Sequence, residues 1–372
     1  PPLGADGIGT LESVLANSFD LPAPLAYELA DEERELLRLT EQQYVVLDGL
    51  ARHPRAAIAG CAGSGKTFLA AEKARRLAAQ GFRVLVLAYN VLLARHLRRG
   101  LADVPEIDVF AFDGLCRELV REAGHDFPAD PEAGEEGDYY RRLRALFAES
   151  AEVAAGRYGA LVVDEAQDFD PDWWLPLQLL LENPDESPLY VFYDDNQRIF
   201  PVPQGLPVPG EPFLLSVNCR NTRRINELVR AFYEGGTIDA RGPEGPPIEQ
   251  HVYVSDEELL GQLDEAVRAW VGQAEVPPEA IALLSGHSQD RSVLWRVDRL
   301  GGVALTDDPW EQGKVFRSSI WRFKGLERLV VGVCELDGVP ERALYVGFSR
   351  PSVFLSIFVP EKTRHRLPRL AA

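Results

Sequence analysis

The chain of 372 residues carries 58 acidic against 39 basic side chains, a formal net charge of −19, with 46% hydrophobic and 26% charged residues. These are globular proportions with room for two cores, and they exclude a bulk electrostatic nucleic-acid binder, so any strand must be held in a local basic groove. With no apolar run near twenty residues, no signal-peptide pattern and four cysteines far apart (Cys61, Cys116, Cys219, Cys334), the expectation is a cytoplasmic protein without zinc, disulfide scaffold or membrane span.

Residues 1–38 open on a Pro/Gly-rich lead and continue as an acidic helix from Tyr27 to Leu39. They read as a linker or partner-facing extension. Methionine is absent from the whole chain, so Pro1 is not expected to be the native start. Leu39-Thr-Glu-Gln-Gln43 opens a second helix, with Thr40 as its N-cap. The Gln43 amide, a paired donor and acceptor, suits the edge of an adenine, although a surface glutamine fits the same position.

The apolar run Ala56 to Ala59 then enters Gly60-Cys-Ala-Gly-Ser-Gly-Lys-Thr67, and a helical pattern from Phe68 to Gln80 leaves it. Strand, glycine-rich loop and helix in that order form a phosphate cradle. Gly60, Ala62, Gly63, Ser64 and Gly65 bring backbone N–H groups onto phosphate oxygens. Lys66 reaches the β/γ-phosphates and the Thr67 hydroxyl holds Mg²⁺. The chain is therefore expected to bind a nucleoside triphosphate.

Arg83 to Ala88 is a buried-type strand ending in Tyr89-Asn90, followed by a helix with Arg95, Arg98 and Arg99 on one face. A basic face beside an exposed aromatic suits a single-strand groove, and a solvated face explains it equally well. Another strand, 103–110, precedes Phe112-Asp-Gly-Leu-Cys-Arg117. Residues 126–157 then break the alternation with an acidic loop and a helix, read as a small helical insertion.

Leu161-Val-Val-Asp-Glu-Ala-Gln-Asp168 delivers two carboxylates at a strand's C-terminal end, where parallel-sheet active sites lie. Asp164 suits Mg²⁺, and Glu165 suits the attacking water. Trp173-Trp174 suits packing. Leu189 to Tyr193 is a further strand leading to Gln197, placed to touch a γ-phosphate, and to Phe200, placed to stack a base. The prolines of 201–212 mark a boundary. Beyond them a second strand–helix alternation starts at Phe213-Leu-Leu-Ser-Val217 and closes with the strand Val353 to Val359. It has no P-loop of its own but places Arg220 and Arg350 after a strand or at a helix end, as arginine fingers are placed.

From Leu39 to about Leu355 these motifs, in this order, resemble the UvrD/Rep-like superfamily 1 helicases. The nearest likeness is to the helicase half of bacterial proteins that often carry an N-terminal nuclease-related domain. The carrying stretches are the glutamine motif, G-C-A-G-S-G-K-T, D-E-A-Q-D, D-D-N-Q-R-I-F, N-C-R-N-T, F-K-G-L-E and L-Y-V-G-F-S-R. The resemblance implies an α/β fold of two tandem RecA-like P-loop NTPase domains with parallel sheets, spanning 39–210 and 211–372. The helical insertion, about 113–157, falls in the first.

The resemblance also implies ATP and Mg²⁺ in the cleft, with Gln43 on adenine and Gly63, Gly65, Lys66 and Thr67 on phosphates and metal. Asp164 and Glu165 would serve metal and water, Gln197 would sense the γ-phosphate, and Arg220 and Arg350 would reach over from the second domain. Gly325 and Glu327 would lie near the nucleotide. Tyr89, Asn90, Phe112, Phe200 and Trp321 fall where the family touches single-stranded nucleic acid, DNA first and RNA as the alternative; a nuclease domain or protein partner is also implied.

Four positions depart from the family pattern: Asp113 and Trp321 where it has histidine, Tyr193 where it has glycine, and Arg350-Pro351 where it has Arg-Ala. All four spare the ATP residues, and three lie near the strand surface. The short interval between the Asn-Cys-Arg motif and Ser318 leaves no room for the large helical insertion of many relatives. The expected function is an ATP-driven single-strand translocase or helicase, 3′-to-5′ by the Q-R-I-F form. An ATP-gated switch without unwinding is the alternative, and a P-loop small-molecule kinase a weaker one.

Overall fold

The computed structural model of the chain describes residues 25–50, 52–128, 136–194, 196, 206–233 and 238–368. It begins with helices α1 (Leu25–Gln42) and α2 (Tyr44–Gly49), separated only at Gln43. Thr40 therefore lies inside α1 and starts no new helix; no breaker interrupts the run of helix formers before Gln43.

There follow β1 (Arg55–Gly60), α3 (Lys66–Ala79), β2 (Val84–Ala88), α4 (Val91–Gly100), β3 (Ile107–Ala111), α5 (Phe112–Glu122), α6 (Glu136–Val153), β4 (Ala160–Asp164), α7 (Trp174–Leu179), β5 (Leu189–Asp194) and β6 (Phe213–Leu215). The strands form a six-stranded sheet in the order β3-β2-β4-β5-β1-β6, parallel at every pairing. Strands β2, β4 and β5 are buried along their full length, with helices covering both faces. That is why they read as unbroken apolar runs rather than alternating ones. Register carries the chemistry: Gly60 pairs with Asp194 and Ala88 with Asp164, so the P-loop and the acids leave the sheet along one edge. Helices α5 and α6 pack on each other through Phe112, Leu119, Leu143 and Phe147, forming the expected helical insertion.

The chain continues through β7 (Val217–Asn218), α8 (Arg223–Arg230), β8 (Asp239–Ala240), β9 (Glu249–Tyr253), α9 (Asp256–Arg268), β10 (Ile281–Ser285), β11 (Arg299–Leu300), β12 (Val303–Thr306), β13 (Val315–Ser319), β14 (Arg328–Cys334), α10 (Glu341–Phe348) and β15 (Pro351–Pro360). A seven-stranded sheet results, ordered β11-β12-β13-β10-β14-β15-β9 and parallel except at β11–β12. The chain is thus α/β, with two parallel sheets in tandem.

Three expectations change. The proline-rich stretch does not end the first sheet, because β6 beyond it pairs with β1, Ile58 opposite Phe213. Strand β15 does not close the second sheet, because β9 lies outside it. The N-terminal helix is no appendage: Leu29 and Leu36 of α1 are buried with Val353 and Phe354 in the core of the second sheet. Burying two leucines is worth about 3–6 kcal/mol of transfer free energy, enough to seat a helix whose other face is acidic. Among the described residues no helix is long and apolar enough to cross a membrane.

Candidate active site

The P-loop turns from β1 into α3 through two left-handed glycines. Gly65 has φ 83° and Gly63 φ 75°. A Cβ on Gly63 would lie 2.1 Å from Asn221 Oδ1 and 2.4 Å from Asn218 Nδ2, so no other residue fits there. Those asparagines belong to the second half of the chain, and the P-loop rests against them. Asn218 Nδ2 donates to Ala62 O at 3.0 Å, and the Cys219 N–H donates to Gly63 O at 3.1 Å. The Tyr345 hydroxyl accepts from the Ala62 N–H at 2.7 Å.

Lys66 is buried, its Nζ 2.9 Å from Gly60 O, 2.8 Å from Cys61 O and 3.3 Å from Asp194 Oδ2. Burial works against the ammonium, but Asp194 and Glu165 more than offset it and raise the Lys66 pKa. Asp164 is buried beside the Thr67 hydroxyl, which bonds it, and its Oδ1 accepts from the Glu165 N–H at 3.0 Å. Burial, and then the neighbouring Glu165 charge, raise the Asp164 pKa. Its Oδ2 has no hydrogen-bond partner, nor has the buried Ser64 Oγ. An unpartnered buried carboxylate oxygen beside a threonine hydroxyl suits Mg²⁺, which takes one or two protein oxygens and completes its shell with phosphate and water. Among the described residues no cluster of three His, Cys, Asp or Glu side chains could hold a metal without such help.

Glu165 is held at φ 53°, a strained conformation for a non-glycine residue, so that its side chain turns across the end of the sheet. Its Oε2 accepts from Gln167 Nε2, and Gln167 Oε1 accepts from the Asp194 N–H at 3.0 Å. Burial disfavours the Glu165 carboxylate, yet the charges of Lys324, Lys66 and Arg350 hold its pKa below the usual range. Two of those three cations come from the second half of the chain. Lys324 Nζ lies 3.4 Å from Glu165 Oε2 and 2.8 and 2.7 Å from the two oxygens of Asp168. Arg350 is buried at the foot of α10, donating to Val346 O at 2.8 Å and to Leu326 O at 3.2 Å. Lys66 and Arg350 therefore both act on the charge of Glu165, Lys66 from the P-loop and Arg350 from the second half of the chain, where its guanidinium is held by Val346 O, Leu326 O and Ser349 Oγ.

Beside this cluster a cavity of about 200 Å³ is lined by Thr67, Arg220, Gly325 and Glu327, with Glu33, Leu36 and Leu37 of α1 as its outer wall. Arg220 pairs with Glu327 at 2.7 Å. His96 also lines it, its pKa lowered by burial and by Arg220, Arg328 and Arg99. Gln43 lies in a neighbouring cavity of about 270 Å³ with Val217, Cys219 and Arg241. Its Nε2 donates to Val217 O at 3.3 Å, leaving Oε1 without a partner.

The expected strand-contact residues divide. Tyr89, Asn90 and Trp321 line a groove of about 470 Å³ with Arg95, Asp168 and Lys324, and Trp321 is 38% exposed. Phe112 does not reach it. That ring is fully buried, 4.2 Å from the Trp173 ring and 5.5 Å from Phe147, and packs the core instead of a base. The arginine face of α4 divides too: Arg95 lines the groove while standing 4.4 Å from the Trp310 ring, whereas Arg98 donates to Val109 O at 3.1 Å and Arg99 stands 5.3 Å from the Trp310 ring. Gln197 and Phe200 lie outside the described residues. Lys324, Asp168, Gln167, Asp194 and Tyr345 were given no role from sequence, although all five stood inside the quoted motif stretches.

Residues 53–192 match the AAA domain family, so the first half contains a P-loop NTPase domain and binds nucleotide. Among curated proteins none matches the chain. Among solved structures, three are similar to it at low identity. The helicase of PRRSV is 12% identical, with a TM-score of 0.45 over 86% of this chain and 55% of its own. The arterivirus nonstructural protein 10 (helicase) is 14% identical, with a TM-score of 0.40 over 89% of this chain and 62% of its own. The same arterivirus protein in complex with DNA gives 14% and 0.41, over 90% and 65%. The chain thus spans less than two thirds of the length of these helicases.

Proposed function

We propose that this chain is an ATP-dependent translocase or helicase of the UvrD/Rep-like kind, moving 3′-to-5′ along single-stranded DNA, with RNA as the alternative strand. In this reading it comprises two RecA-like domains meeting after β6, and protein partners, a nuclease-related domain among them, use its acidic surface. The observation that supports the reading is the buried Glu165, whose carboxylate meets Lys324 of the second half at 3.4 Å and feels the charges of Lys66 in the P-loop and Arg350 in the second half. Lys66 turns from the Gly60 and Cys61 carbonyls to the β/γ-phosphates, and Arg220 and Arg350 complete the cradle from the other side. Thr67 and Asp164 would hold Mg²⁺, which would supply neutralisation of phosphate charge. Glu165, kept ionised by its three cations, accepts a proton from the water that attacks the γ-phosphorus as the bond to ADP breaks. Gln43 receives the adenine amino group on its unpartnered Oε1. Strand contact follows from Lys324, whose ammonium belongs both to the groove and to the Glu165 cluster.

The test is ATPase activity of wild type and Lys66→Ala, each with and without single-stranded DNA at fixed salt, beside strand displacement on a 3′-tailed duplex. The reading expects Lys66→Ala to be inactive and wild type to be stimulated by DNA. Hydrolysis surviving Lys66→Ala would sink the site. A second reading, an ATP-gated switch that does not unwind, is favoured by the buried Phe112 and by Arg98 and Arg99, held at Val109 O and the Trp310 ring; hydrolysis indifferent to DNA would select it.

A further inference from the structure

The second sheet touches the P-loop with something other than an arginine. Tyr345, on α10, is fully buried, and its hydroxyl lies between two groups of the first half. It accepts from the Ala62 N–H at 2.7 Å and donates toward the Asp194 carboxylate, 3.4 and 3.5 Å from its two oxygens. Asp194 is the carboxylate that pairs with Lys66 at 3.3 Å. Its own N–H donates to Gln167, which donates in turn to Glu165. One phenol oxygen is thus tied to the P-loop backbone, to the partner of the P-loop lysine and, through Gln167, to the carboxylate that faces water.

We propose that Tyr345 is a positioning residue that couples seating of Lys66 on a phosphate to docking of the second sheet. The argument follows the charge on Asp194. While Lys66 rests on the Gly60 and Cys61 carbonyls, it also neutralises Asp194. When Lys66 turns to a phosphate, that buried carboxylate loses a cationic neighbour, and donors that stay in place must hold it. The Asn196 N–H, 3.0 Å from Oδ1, is one, and the Tyr345 hydroxyl is the other that comes from the second sheet. At 3.4 and 3.5 Å this contact is longer than a full charge-assisted bond, so the hydroxyl is placed to tighten onto Asp194 when the ammonium leaves. The loaded position of Lys66 is therefore favoured while α10 is docked. A tyrosine suits the task because burial, and then Asp194, push its pKa well above 10, so the proton stays on the oxygen. Its ring is fixed by near-parallel stacking on Tyr233, with centroids 6.1 Å apart.

Tyr345→Phe removes the oxygen and keeps the ring, so it separates this role from packing. The inference rests on the nucleotide-site reading above, and the experiment has one arm that does not. In that arm, amide hydrogen exchange is followed at residues 60–65 in wild type and Tyr345→Phe. The Ala62 amide is expected to exchange about tenfold faster in the variant, the size of one lost hydrogen bond of this kind. Unchanged exchange overturns the proposal whatever the chain hydrolyses. In the second arm, Tyr345→Phe lowers kcat for ATP about tenfold with KM within twofold, because the contact is used after binding. Asp194→Asn with Tyr345→Phe is expected to be no slower than Asp194→Asn alone, since both break one relay. A rise in KM at unchanged kcat, or fully additive losses, would make Tyr345 a packing residue and overturn the proposal. Hydrolysis surviving Lys66→Ala defeats the site reading alone, and the exchange arm still decides Tyr345.

Discussion

The two sheets solve unequal parts of one problem. The first presents its chemistry on the ends of adjacent strands: Gly60, Asp164 and Asp194 are brought to one edge by parallel register, and sequence-local motifs suffice to place them. The second sheet has the same parallel build and no cradle. The second half of the chain contributes single side chains from three segments: Asn218 and Arg220 after β6, Lys324 after β13, and Tyr345 and Arg350 on α10 and at its end. A site divided in this way binds with one half and responds with the other. Movement of the second half changes the charge around Glu165 and the bonds that Asn218, Cys219 and Tyr345 make to the P-loop backbone.

The sharpest way to break that division is to remove its most buried outside cation. Arg350→Ala should lower the single-turnover hydrolysis rate about 10³-fold or more, as expected for an arginine supplied to a phosphoryl group, while nucleotide affinity changes far less. A loss confined to affinity would assign Arg350 to binding and erase the contrast between the halves. Next in size is the helix that spans them. Leu36→Ala should cost about 2–4 kcal/mol in denaturant unfolding, because Leu36 is buried in the second core while Leu37 beside it lines the cleft. A change within about 0.5 kcal/mol would return α1 to the status of an appendage.

The smallest effect tests the first sheet alone. Lys73 on α3 is buried over the Tyr190 ring at 4.0 Å, and burial lowers its pKa to about 8. Between pH 8 and the ordinary lysine value near 10.5, the unfolded chain then binds more protons than the folded one, so stability should rise with pH across that window. Lys73→Met should flatten the rise by about 1–3 kcal/mol, the ring's attraction for the ammonium offsetting part of the desolvation. An identical slope in both proteins would mean that Lys73 keeps its charge throughout.

How much could be read from the sequence follows the same division. The P-loop and the Asp-Glu pair were legible because phosphate binding demands contiguous residues at fixed spacing on a strand end. Arg220 and Arg350 were legible from their placement and through resemblance, whereas Tyr345 stood inside a motif stretch without a role. Its partner Ala62 is 283 positions away, and no local spacing connects the two. Phe112 was misread because an aromatic at the end of a strand looks the same whether it meets a base or the Trp173 ring. Leu29 and Leu36, seven residues apart on one helix face, did carry a signal for core packing, hidden by the acidic composition around them. Strand β6 was read as the start of the second alternation, although it pairs with β1, because three residues carry too little pattern to outweigh the prolines before them.

The claim on which the rest depends is that one chain supplies both sets of cations around Glu165. Mixing Lys66→Ala protein with Arg350→Ala protein tests it directly, because each variant keeps the residue that the other lacks. ATPase activity of the mixture should stay at the level of either variant alone. Recovery of a substantial fraction of wild-type activity would mean that Arg350 acts on another molecule's P-loop, and would contradict the account.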